Sequence, residues 1–238
     1  MRDTFDERRT EVDQFFTFLQ QIDAGVHKIV TDSGEAAYTS AAQTDMLKTM
    51  KANGFLLLYN LVESTVKNAI ESIFDELHQQ SVEFDLCRDE VRTAILKNLG
   101  DWNPEKLLPK ISVLGLDVVR STFRRETLFS GNVDARAVRK TASGYGFRHP
   151  TKKADELLTV KTNRNDLTHG DKSFADVGRE YSVVKIQKIK LEVFEYLEEL
   201  IGNVESYIVN EEYLETKRGR NSIRNIELRP IKFPAAGQ

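Results

Sequence analysis

The chain has 238 residues, with 34 Lys and Arg against 37 Asp and Glu, for a formal charge of −3; 40% of it is hydrophobic and 30% charged, the balance of a globular protein and not of a disordered one. One cysteine, Cys87, excludes an internal disulfide, and the four histidines (His27, His78, His149 and His169) have no local metal-ligand spacing. The longest apolar run, Phe55 to Tyr59, is far too short to cross a bilayer, and the charged start MRDTFDERRTEVD lacks a signal-peptide core, so a cytoplasmic protein with no membrane contact, metal or cofactor is expected.

The first proline is Pro104, which leaves the stretch before it free for long helices. Val12, Phe15, Phe16, Leu19 and Ile22 stand at three- and four-residue steps and predict a first helix over 12–22. A long helix is expected over 42–79, where Leu58, Val62, Val66, Ile70 and Phe74 hold helical spacing for several turns. Shorter helices are expected over 91–99, 107–123, 133–142 (with Asp134 as an early acid, stopped by Ser143 to Gly146) and 152–160. The last long helix is placed over 183–213 on the stripe Ile186, Ile189, Val193, Leu197, Leu200, Val204 and Ile208. A weak Ile226-x-Leu228 alternation could make an edge strand. The fold class is therefore all-α, with one domain over 1–214 and an irregular basic tail over 215–238.

Charge is unevenly spread. Between Arg120 and Arg164 eleven basic residues face four acids, and from Lys217 onward six face Glu227, so the rest of the chain is strongly acidic. Such a body can meet a polyanion at chosen places, although basic side chains also simply solvate helix faces.

No phosphate-binding glycine loop, zincin histidine pair or Gly-x-Ser-x-Gly elbow occurs, and Cys87 in Phe-Asp-Leu-Cys-Arg reads as a buried, inert thiol. One segment carries chemistry: Lys161-Thr-Asn-Arg164-Asn165-Asp166-Leu-Thr-His169-Gly170. Arginine clamps a phosphate through a planar fork of donors, and histidine gives or takes a proton near neutrality. Together they supply what metal-free RNA transesterification requires, the nucleophile being the RNA's own 2′-hydroxyl. Arg-x4-His is expected by chance about 0.3 times in this composition, and about 0.015 times once Asn must follow Arg. On an unbroken helix, five residues turn roughly 500°, which sets Arg164 and His169 about 140° apart. Either the motif begins in a loop or two copies meet across a two-fold axis. The alternative is structural: Arg164 paired with Asp166 or another acid, and His169 ending the segment before Gly170.

Arg164-Asn165-Asp166-Leu167-Thr168-His169-Gly170 resembles the Arg-x4–6-His motif of the HEPN superfamily, in the form with a polar residue after the arginine. Tyr59-Asn60-Leu61-Val62-Glu63 is similar to that superfamily's early core helix. Ser130-Gly131-Asn132-Val133-Asp134-Ala135-Arg136 and Tyr145-Gly146-Phe147 further resemble its bacterial MAE-type branch, and the likeness covers most of 40–214. The resemblance implies an up-and-down helical bundle, commonly a homodimer with facing motifs, and in many members a metal-independent endoribonuclease serving as a toxin of a toxin–antitoxin or phage-defence system. It makes His169 the acid/base, Arg164 the phosphate binder and Asn165 the supporting polar residue; Asp166 is a further candidate support, and so is Glu63, which could equally sit on the solvent-side border opposite the Leu58, Val62 and Val66 stripe. Arg136, Arg139, Lys140 and Lys161 are expected to guide RNA, and the tail, with Arg218, Arg220, Arg224 and Arg229, to contact RNA or a cognate antitoxin. Some members have lost catalysis, so a helical module that holds RNA or a protein partner without cutting is the rival reading.

Overall fold

The computed structural model describes residues 1–27, 40–100, 128–129 and 132–215. The helix expected over 107–123, the Ser130-Gly131 pair and the tail from 216 lie outside the described residues. Within them the protein is an all-α, up-and-down bundle: α1 Arg2–Asp23, α2 Ser40–Gln79, α3 Asp89–Gly100, α4 Ala135–Tyr145, α5 Asp155–His169, α6 Phe174–Glu180 and α7 Val183–Val209. No helix among these residues is long and apolar enough to cross a membrane.

The central element is α2, which packs against α1, α5, α6 and α7. Its Phe55, Leu58, Tyr59, Leu61, Val62, Thr65 and Val66 are all buried on one broad face, while Asn60 on the other side stays exposed. The α7 stripe meets it with Ile186, Ile189, Val193, Leu197, Leu200 and Val204, all fully buried. At roughly 1.5–3 kcal/mol for each large apolar side chain removed from water, this two-helix seam dominates the core.

Several boundaries differ from the sequence expectation. Helix α1 begins at Arg2, ten residues earlier than the apolar spacing indicates. Its added turns are held by Phe5, which is buried, and by charge: Arg2 pairs with Glu198 at 2.6 Å and Glu205 at 2.8 Å, and Arg9 with Glu198, all acids of α7. Helix α4 starts after Asp134, which is its N-cap and accepts the Ala137 amide at 2.9 Å, and it runs through Ser143 and Gly144 to Tyr145. Gly146 ends it in the left-handed region, at φ 80. Helix α7 stops at Val209, because the chain turns back through residues 210–213 to bury Tyr213 and to give its carbonyl to the Arg88 amide at 2.8 Å. Helix α6 is new: Ser173 and Asp176 form a capping box, and Gly178 lets the helix lie against the α2 backbone.

Cys87 is buried as expected, and burial pushes its thiol up to about 11. Burial also pushes the Tyr145 and Tyr196 phenols up to about 12.

Two predictions follow from this packing. A Cβ at Gly178 would stand 2.0 Å from the Lys48 carbonyl oxygen, so Gly178→Ala must part α6 from α2. It should cost about 2 kcal/mol or more and lower the melting temperature by roughly 4–8 °C, whereas Gly202→Ala, whose Cβ meets nothing within 4 Å, should leave it level or raise it. Because the folded thiol and phenols hold their protons beyond their ordinary values, stability is complete below those values and drains away as pH climbs toward the raised ones. Urea midpoints should thus be flat near neutrality and fall from about pH 9 upward.

Candidate active site

The motif lies entirely on α5, which is uninterrupted from Asp155 to His169. The loop alternative is therefore removed, and within one chain Arg164 and His169 diverge by about 140° around the helix. The helix persists through a polar run because Asn163, 3% exposed, is satisfied inside: its amide donates to the Thr159 carbonyl and to the Tyr181 hydroxyl, both at 2.9 Å.

Arg164 lies over the Tyr59 ring of α2, its guanidinium carbon 4.5 Å from the ring centroid. This is a cation–π contact that fixes the plane of the fork. Nη1 also donates to Asn165 Oδ1 at 3.0 Å, and Asn165 Nδ2 donates to Asn132 Oδ1 at 3.3 Å, just ahead of α4. The Tyr59 hydroxyl accepts the Val133 amide at 3.1 Å. Burial raises the Tyr59 phenol above its ordinary value, outweighing the Val133 amide and the Arg164 charge, which act the other way. One ring on α2 thus holds both the arginine of α5 and the entry to α4.

His169 is the last residue of α5 and is exposed. Gly170 follows at φ 77, and the amides of Gly170 and Asp171 both return to the Asp166 carbonyl, a closed helix end that fixes where the imidazole leaves the helix. The Asp166 side chain is 3.3 Å from Lys172, which also reaches Glu180 of α6 at 3.1 Å. Asp166 therefore ties the motif to α6.

The other expected residues divide. Lys161 is half-buried and bound to the Asp134 carboxylate that caps α4. Burial pushes the Asp134 carboxyl upward, but Lys161 and the α4 amides outweigh it and leave it below the usual range. Arg136, Arg139 and Lys140 are exposed on one side of α4; Arg139 lies near the Tyr196 phenol and Lys140 borders a cleft between α3 and α4. Glu63, one turn beyond Tyr59, is half-buried and pairs with Lys67 at 2.9 Å. It is close enough to act on the Tyr59 phenol by charge, which sets it on the motif side of α2. Sequence spacing did not single out Tyr59 as the arginine's platform or Asn132 as the partner of Asn165, because both contacts join distant segments.

A family model described as HEPN_MAE_28990, an MAE_28990-like HEPN, matches residues 1–213. The chain belongs to this HEPN family. Comparison with curated proteins and with solved structures returned no match. The family match takes in α1, ahead of the stretch 40–214 over which the sequence likeness was drawn.

Removing the Tyr59 hydroxyl should leave Arg164 stacked but orphan a buried amide. Tyr59→Phe is expected to cost about 1–2 kcal/mol, read as a lower urea midpoint with an unchanged slope.

Proposed function

We propose that this HEPN domain is a metal-independent endoribonuclease acting in the cytoplasm, serving as a toxin of a toxin–antitoxin or phage-defence system. HEPN domains are commonly ribonucleases. The observation that carries the reading is the preorganised Arg164 fork, held by Tyr59 and Asn165, on the same helix as an exposed His169.

The chemistry uses groups that the RNA and the motif supply. A His169 imidazole takes the proton of a 2′-hydroxyl, whose oxygen attacks the adjacent phosphorus. The bond to the 5′-oxygen breaks, and that oxygen leaves with a proton from water. The products are a 2′,3′-cyclic phosphate and a 5′-hydroxyl. Arg164 neutralises the charge that grows on the non-bridging oxygens in the transition state.

Divergence of Arg164 and His169 around α5 supports a site shared by two copies, each giving the arginine to one phosphate and the histidine to the other. Water at the exposed site supplies the proton that the leaving oxygen takes, so each composite site needs one imidazole. The domain limits proposed are 1–214, with 215–238 as a separate tail that contacts RNA or an antitoxin.

The test is cleavage of a mixed RNA pool in EDTA by the parent, Arg164→Ala and His169→Ala proteins, and by a 1:1 mixture of the two variants. Each variant alone should lose roughly 10²–10⁴-fold in rate. The mixture should recover about a quarter of parent activity, because half of its dimers carry one intact composite site. Loss in both variants without recovery on mixing would sink the shared site. Equal cutting by all of them would point to a contaminant, and RNA binding without any cutting would favour the binding-module reading. Growth arrest on expression that requires both Arg164 and His169 would support the toxin role.

A further inference from the structure

The cleft between α3 and α4 has no part in the chemistry above. It is an open cleft of about 480 Å³, within the range of roughly 300–1,000 Å³ usual for small-ligand sites. Its wall combines apolar side chains, among them the half-buried Phe129, with the amides of Asn98 and Asn132 and the ammonium groups of Lys97 and Lys140. None of its lining residues is acidic, in a chain where acids outnumber bases. Neither lysine is paired with a carboxylate among the described residues. The cleft also borders the motif: Asn132, which lines it, is the residue that accepts the Asn165 amide.

We propose that this cleft is a nucleotide subsite: it takes one base of the RNA strand beside the scissile phosphate, with the next phosphate on Lys97 and Lys140. The assignment rests on the ribonuclease reading and adds to it the place where the enzyme touches a base. An aromatic and aliphatic wall suits the flat face of a base, and side-chain amides, each with donors and an acceptor, suit its edge. The two cations suit the phosphate that must accompany any base of a strand. The size of the cleft suits one splayed-out nucleotide of single-stranded RNA, and not a duplex, whose bases are stacked away. Asn132 would then couple base occupancy to Asn165, and through it to the Arg164 fork.

Gly144 makes the idea testable without damage to the fold. It sits within α4 on the cleft wall, and a Cβ built there meets nothing within 4 Å. Gly144→Leu should therefore fill the cleft while favouring the helix. The probe is a set of single-stranded RNA oligomers on the order of 12 nucleotides, one for each base, bound by full-length His169→Ala protein so that nothing is cut. Adding Gly144→Leu should weaken binding roughly tenfold, with an unchanged or higher melting temperature, while Gly144→Ala should bind like the starting protein. Lys97→Ala and Lys140→Ala should each weaken binding and lower the salt slope by about one.

RNA binding untouched by Gly144→Leu and by both lysine variants overturns the subsite, and if the parent still cuts RNA the nuclease reading stands without it. Weakening by Gly144→Leu in a protein that never cuts upholds the cleft and sinks the nuclease reading instead. Titration with the four free nucleoside monophosphates separates the remaining source. Monophosphates bound by the parent and excluded by Gly144→Leu, with RNA binding unaltered, would assign the cleft to a small nucleotide and overturn the RNA assignment.

Discussion

An apolar face as broad as that of the middle of α2 cannot be covered by a single neighbour. Burial of Phe55, Leu58, Tyr59, Leu61, Val62 and Val66 on that face calls for several partners, and α1, α5, α6 and α7 supply them. The site depends on a polar tip in that core. Tyr59 brings a phenol to the edge of the core, where its oxygen needs a donor and finds the Val133 amide, and its ring face offers a seat for the Arg164 guanidinium. The motif is positioned by hydrophobic packing two helices deep, and not by a loop that would have to be ordered separately.

How much of this was readable beforehand follows from the physics of each element. The α2 and α7 stripes repeat at helical spacing over many turns, so both helices were evident from apolar periodicity. The first turns of α1 were not, since arginine–glutamate pairs to the distant α7 hold much of them and leave no periodic mark. Helix α6 is seven residues long and too short for periodicity, yet Ser173-x-x-Asp176 was a legible start signal. Helix α5 was expected only as far as Val160, because the polar run after it carries no apolar periodicity and its buried Asn163 is satisfied by Tyr181 only through the fold. Arg164, Asn165 and His169 were legible from residue type and order. Their platform was not, because Tyr59 and Asn132 stand far from them in sequence and meet them only through the fold.

The basic stretch up to Arg164 also resolves into two kinds of cation. Lys161 is bound to the α4 cap and Lys153 to Glu192 of α7 at 3.3 Å, so part of the excess charge binds helices to one another. Arg136, Arg139 and Lys140 remain on the exposed side of α4. Counting basic residues in a window overstates what is open to a polyanion.

Placing Arg164 and His169 on one rigid helix has a consequence for control. Bending or sliding α5 moves both groups together, so no adjustment inside a single chain converges them. In the proposed two-copy site the remaining variable is how many chains have met. Activity then rises with the square of protein concentration at low occupancy and saturates once pairs dominate, a threshold set by mass action. A protein of this design is silent when scarce. Any binder that occupies the α5 face of a lone copy holds it silent without touching the chemistry.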